Sequence, residues 1–192
     1  MNSPEPLAQR LKTAAALLQN AANAPLVIQT DRAIDAICTG LFAGLPLLVC
    51  GNGGSASDAM HIAGELVGRY TRERRALNCI CLSTDAVVLT ALANDYGFET
   101  VFSRQVEAHG CVGGILLGLS TSGNSENVVR AFEAARTVGM TTIGMTGEGG
   151  GKLAAVSDIL IEVPSKSTPE IQQIHICIYH YICEAVEARI LL

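Results

Sequence analysis

The sequence predicts an α/β fold: one domain on a five-stranded parallel sheet with helices on both faces, doubly wound. Two observations lead there. From residue 46 onward, short apolar runs alternate with helical patterns at short intervals, the pattern of parallel strands and crossover helices. Polar turns rich in glycine or serine follow two of these runs, and ligands of open parallel sheets bind beyond the strand carboxyl ends. A length of 192 residues suits one domain with a sizeable core. The division expected is N-terminal helices over about 5–43 and an α/β core over about 46–192, with no linker, repeat or low-complexity tract.

The elements follow in order. Leu7–Ala24 and Thr30–Ala43 read as helices broken near Asn23–Pro25. The first is apolar nearly all round through Leu11, Ala14, Ala15, Leu17 and Leu18, which predicts packing on another subunit as well as on its own domain. Leu47–Cys50 is the first strand, a continuous apolar run of the buried parallel kind. The turn Gly51–Ser55 leads into a helix from about Ala56, and the charged segment Thr71–Arg75 faces solvent. Leu77–Leu82 is the second strand, after which Ser83-Thr84-Asp85 can cap a helix over Ala86–Ala93. Asn94-Asp95-Tyr96-Gly97 breaks that helix, and Glu99–His109 forms the next. Ile115–Leu119 is the third strand, Ser120–Ser125 the second polar turn, and Glu126–Val138 a helix. Thr141–Met145, a short helix near Lys152–Val156 and Ile159–Val163 complete the sheet. Thr168 as N-cap with Pro169 behind it starts a last helix that runs to about Ile190.

Composition narrows the function classes. Hydrophobic residues make up 49%, which argues against disorder, while only 16% are charged and Trp is absent. So sparse a charge fits an exterior partly covered in an oligomer. A net charge of -5 without a basic stripe argues against nucleic-acid binding. No apolar run is long enough to span a membrane, and the N-terminus lacks the basic start of a signal peptide. The seven cysteines lie mostly in apolar runs and form no CxxC pair, as expected of reduced thiols in a cytoplasmic protein. A metal site on Cys79 and Cys81 would lack a partner thiol motif.

The chemistry-bearing residues cluster around the first strand. Glycines in Gly51-Asn52-Gly53-Gly54-Ser55 let backbone N–H groups approach a ligand, and the following helix start adds partial positive charge. His61 and Glu65 are spaced i,i+4 on one face of that helix, with Asp58 one turn earlier. Plainer readings exist: Gly51-x-Gly53-x-x-Ala56 with Asp85 also matches a weak dinucleotide fingerprint, and His61–Glu65 can be an ordinary surface pair. Ser120-Thr121-Ser122-Gly123-Asn124-Ser125 suits a phosphate through hydroxyls and a helix start, though serine-rich turns are also common caps. In the last helix Gln172, Gln173, His175 and His180 interrupt an apolar pattern. Two imidazoles, a carboxylate and an amide oxygen could hold a zinc-like ion if they converge.

Taken together, GNGGSASDAMHIAGE, LTALANDYG, LSTSGNSENV and TPEIQQIHICIYH, in this order and spacing, resemble the phosphoheptose isomerases, small members of the sugar isomerase (SIS) family. The resemblance covers about Asp35 to Glu187. STSGNS alone marks only the wider SIS family, whereas the His61–Glu65 pair with Gln172 and His180 is much more specific. It implies a flavodoxin-like sheet and interconversion of sedoheptulose 7-phosphate and D-glycero-D-manno-heptose 7-phosphate, the first step of bacterial ADP-heptose or GDP-heptose supply. It implies a cytoplasmic homotetramer and one zinc per subunit on His61, Glu65, Gln172 and His180. Substrate contacts carry over to Asn52, Gly53, Gly54, Ser55, Glu65, Asn94, Asp95, Ser120, Thr121, Ser122, Ser125 and Gln172. One departure is Gln173, where Glu is usual; it removes a negative charge beside the site but no ligand.

On this reading Glu65 is the base and His180 the acid of an enediol mechanism, and Asp58 orients His61. Gln172 and His180 lie eight residues apart, about 12 Å along one helix. Either the two side chains lean together or ligands from different subunits meet, and a site completed at a subunit interface is the expectation. The alternative is a non-catalytic SIS protein of the type that binds the replication initiator DnaA. Such proteins keep the loops but lack the His/Glu/Gln/His set, all four members of which stand here. A sugar-phosphate-sensing regulatory domain would usually be joined to a DNA-binding segment.

Overall fold

A computed structural model describes residues 5–190. Five parallel strands lie in the order β2-β1-β3-β4-β5, with β1 Leu47–Gly51, β2 Cys79–Cys81, β3 Ile115–Ser120, β4 Thr141–Thr146 and β5 Ile159–Glu162. The strand order reverses between β1 and β3, so both polar turns open at the switch point, where doubly wound sheets bind ligands.

Helices α2 (Ala24–Phe42), α3 (Gly54–Val67) and α7 (Thr168–Ile190) cover one face of the sheet. Their core includes Ile34, Ile37, Leu41, Ile62, Leu66, Tyr179 and Ile182, packed on Leu47, Val49, Leu117 and Met145. Helices α5 (Ser103–His109) and α6 (Glu126–Val138) cover the other, where Val106, Val128 and Phe132 meet Leu48, Cys50 and Leu116. Strand residues pointing alternately to the two faces explain why β1 and β3 are unbroken apolar runs.

Several boundaries differ from the sequence reading. Helix α1 (Leu7–Ala21) stops three residues early, and α2 begins at Ala24 because the Asn23 side chain accepts from the Leu26 N–H. The second strand shrinks to an edge of three residues. Helix α4 (Ala86–Tyr96), capped by Asp85, runs through Asn94 and Asp95 and ends only where Gly97 adopts φ of 91°. The expected helix over Glu99–His109 divides into a 3-10 turn at Phe98–Thr100 followed by α5. Thr168 is the first residue of α7 itself, not its cap.

Candidate active site

The site grows from the pairing of α3 with α7. Gly54, the first residue of α3, packs against the Gln172 side chain, whose amide occupies the space a Cβ there would need. Seven residues on, His61 meets Tyr179, seven residues beyond Gln172. The helices therefore run side by side in the same direction, and chemistry spreads along their seam.

At the start of this seam the two strand-end loops are tied together. Asn52 and Asn127 exchange amide hydrogen bonds of 2.9 Å in both directions, and Ser120 Oγ donates to Ser125 Oγ at 3.0 Å. Thr121 lies 3.4 Å, hydroxyl to hydroxyl, from Thr168 at the start of α7. Gly53 and Ser125, which precede α3 and α6, give those helices no side-chain cap, unlike Asn23 and Asp85 before α2 and α4. Helix starts left uncapped at a ligand edge suit an anion. Ser55 is buried beneath the first loop, while Gly53, Gly54 and Ser122 are exposed.

Two turns along the seam, His61 Nε2 lies 3.0 Å from Glu65 Oε1, and His61 Nδ1 lies 3.0 Å from the Tyr179 hydroxyl. The His180 ring stands edge-on to His61, with ring centroids 4.9 Å apart. Asp58, expected to orient His61, is linked to it through Tyr179, whose hydroxyl donates to Asp58 Oδ1 at 3.5 Å. Burial raises the Asp58 carboxyl above the usual range, against the hydrogen bond from Tyr179, and its Oδ2 has no partner. Burial, then the Asp58 charge, raises the Tyr179 hydroxyl too.

This arrangement tests whether a metal ion fits. With the Nδ1 proton donated to Tyr179 and the Tyr179 proton to Asp58, His61 Nε2 presents a lone pair to the Glu65 carboxylate. At 3.0 Å the two atoms can share a proton, and in that tautomer they are two electron-pair donors able to take a cation between them. Two imidazoles and a carboxylate, one imidazole held by an outer hydrogen bond, form a donor set suited to zinc. Among the described residues, however, no three of His, Cys, Asp and Glu already stand as a formed cluster. Gln172, beside Gly54, lies about 10 Å back along the seam from the His61 level.

The remaining expected residues fall elsewhere. Asn94 and Asp95 sit at the exposed C-terminal end of α4, Asn94 donating to Asp95 at 2.8 Å. Gln173 is exposed. His175 is a core residue: its Nε2 lies 3.3 Å from the Thr146 carbonyl, and burial lowers its pKa to about 4. Sequence reasoning missed Asn127 and Tyr179. Asn127 follows a serine turn as one polar residue among many, and Tyr179 reads as ordinary core within an apolar helix.

A parallel sheet of this order with serine and glycine turns at its switch point defines a doubly wound α/β domain, and a family profile described as SIS domain matches residues 9–147. The phosphoheptose isomerase of Rhodospirillum rubrum is 55% identical over 151 residues, 79% of this chain and 80% of that relative. The solved phosphoheptose isomerases of Neisseria gonorrhoeae and Francisella tularensis superpose with TM-scores of 0.89 at 40% and 35% identity. They match 95% of this chain and 97% and 96% of their own. The chain belongs to the SIS-domain family and, within it, to the phosphoheptose isomerases.

Proposed function

We propose that this enzyme interconverts sedoheptulose 7-phosphate and D-glycero-D-manno-heptose 7-phosphate through an enediol, feeding bacterial ADP- or GDP-heptose synthesis. The observation that carries the reading is the His61–Glu65–His180 group on the seam that starts at two strand-end loops, in a chain 55% identical to a phosphoheptose isomerase. The loop Ser120–Ser125 and the uncapped start of α6 bind the phosphate, and Asn52–Ser55 meets the sugar. Glu65 takes the proton from C1 of the ketose while His180 gives a proton to the carbonyl oxygen on C2, leaving the enediol. Glu65 then returns its proton to C2, the O1 proton goes back to His180, and the aldose is complete. The reverse reaction exchanges the steps.

His61, Glu65 and His180, with Gln172, would hold one zinc ion per subunit, whose Lewis acidity would polarise the substrate carbonyl. Gln172 would come to this site from a neighbouring subunit of a homotetramer. Support comes from its separation along the seam and from the surfaces left apolar: Leu7 and Leu11 on α1 are 74% and 62% exposed, and α4 has no buried residue. Among the described residues no helix is long and apolar enough to cross a membrane. A cytoplasmic setting suits the seven free thiols. The test is to incubate zinc-loaded protein with sedoheptulose 7-phosphate and follow the aldose by NMR. No aldose signal at any enzyme concentration would overturn the reading.

A further inference from the structure

Helix α3 ends at Val67, two residues past Glu65, and the last carbonyls of a helix have no partner within it. Here they are taken up from outside. Arg74 Nη2 donates to the Glu65 carbonyl at 2.7 Å, and Nη1 donates to the carbonyls of Leu66 at 2.9 Å and of Gly68 and Arg75 at 3.0 Å. This guanidinium is 1% exposed and lies against the equally buried Glu187, with Nε 3.3 Å from Oε1.

Glu187 turns its oxygens on the segment that follows α3. Oε1 accepts from the Tyr70 N–H at 2.9 Å. Oε2 accepts from the N–H groups of Thr71 and Arg72, both at 2.8 Å, and from the Thr71 hydroxyl at 3.1 Å. Three successive N–H groups around one carboxylate form a closed anion nest. Thr71–Arg75, read from sequence as a solvent-facing charged segment, is thus anchored by its backbone and by Arg74.

Neither Arg74 nor Glu187 hydrogen-bonds a side chain of the cluster on the seam; they hold the backbone that carries it, including the Glu65 carbonyl. Glu65 lies in the last turn of α3, the part of a helix that frays when its carbonyls are free. The Tyr70 ring stands 5.9 Å from the His180 ring, and the Tyr70 N–H is what Glu187 binds. Glu187 is also two turns beyond His180 on α7, so one rigid element carries both the imidazole and the anchor.

We propose that Arg74 and Glu187 are positioning residues for the isomerase. They form a buried ion pair that fixes the last turn of α3 and residues 68–75, so that Glu65 stays on His61 and Tyr70 on His180. The proposal rests on the isomerase reading above. Arg74→Lys keeps a cation beside Glu187 but gives up the fork that reaches four carbonyls, and Glu187→Gln keeps the size but not the charge. Both are assayed as full-length, zinc-supplemented protein at temperatures well below their own melting points. The expected result is a kcat loss on the order of 10²-fold, with KM changed by less than about threefold. Amide hydrogen exchange without substrate should quicken over residues 65–75 and not elsewhere. Should Glu187→Gln fail to fold, Arg74→Lys carries the test. A folded variant with faster exchange at 65–75 but kcat within about threefold of wild type would reduce the pair to a stabilising clamp and overturn the proposal. Wild-type protein without isomerase activity would instead sink the isomerase reading, and the positioning role with it.

Discussion

The two ends of the α3–α7 seam are finished in opposite ways. At its start, Gly53 leaves α3 uncapped, Gln172 lies over Gly54, and the polar side chains of the loops bond mostly to one another. At its far end nearly every polar group is taken: Arg74 holds four carbonyls, and Glu187 accepts four hydrogen bonds. The open end can exchange its internal bonds for a ligand. The closed end cannot give way without leaving a buried charge unpaired, which is strongly destabilising. The His61–Glu65–His180 group lies between them, open in the proposed reaction to substrate from one side and held from the other.

The largest effects should come from the middle of the seam. Glu65→Gln is expected to lower kcat on the order of 10²–10⁴-fold, the range of a lost general base, while thermal melting and assembly stay unchanged. Turnover within a factor of a few of wild type would place the base elsewhere.

Subunit complementation separates the middle from the open end. His61 and His180 share one cluster within a chain, so co-refolded His61→Ala and His180→Ala should stay inactive. Co-refolding His61→Ala with Gln172→Ala should restore activity, because each chain then supplies what the other lacks. Activity from the first mixture would show that His61 and His180 work in different chains. Silence from the second, in well-mixed, zinc-loaded protein, would return Gln172 to its own chain's site.

A smaller effect is expected at the open end. Ser122→Ala and Ser125→Ala each remove one hydroxyl from the proposed phosphate loop and should weaken binding by about 1.5–3 kcal/mol, read as a raised KM. An equal loss on an unphosphorylated heptulose would contradict the assignment.

The smallest is a stability effect of the closed end. Burial acts to raise the Glu187 carboxyl, but the N–H groups of Thr71, Tyr70 and Arg72 and the Thr71 hydroxyl outweigh it and hold the pKa at about 2, below the ordinary 4.5. A depressed carboxylate adds stability that is fully present above its unfolded pKa and is lost as pH falls through the folded one. The stability gap between wild type and Glu187→Gln, measured by urea unfolding, should therefore be flat near neutrality and shrink from about pH 4.5 toward 2. A gap unchanged at pH 3 would mean that the carboxylate is not held by this nest.

The sequence alone determined the sheet, because buried parallel strands must be continuous apolar runs and crossover helices must carry an apolar stripe. It also determined the two loops at the strand ends and the His61–Glu65 pair, since i,i+4 spacing on a helix fixes a shared face whatever surrounds it. Helix ends were less legible: α4 passes through Asn94 and Asp95 because local polarity does not stop a helix until Gly97 does. The residues that only the tertiary structure decided are those whose partners lie far along the chain. Tyr179 meets Asp58 and His61, Asn127 meets Asn52, and Arg74 and Glu187 close the seam from opposite elements. Periodicity and spacing report what lies within a few turns of one helix, whereas these pairs exist only because packing sets α3 and α7 parallel and brings the ends of β1 and β3 side by side.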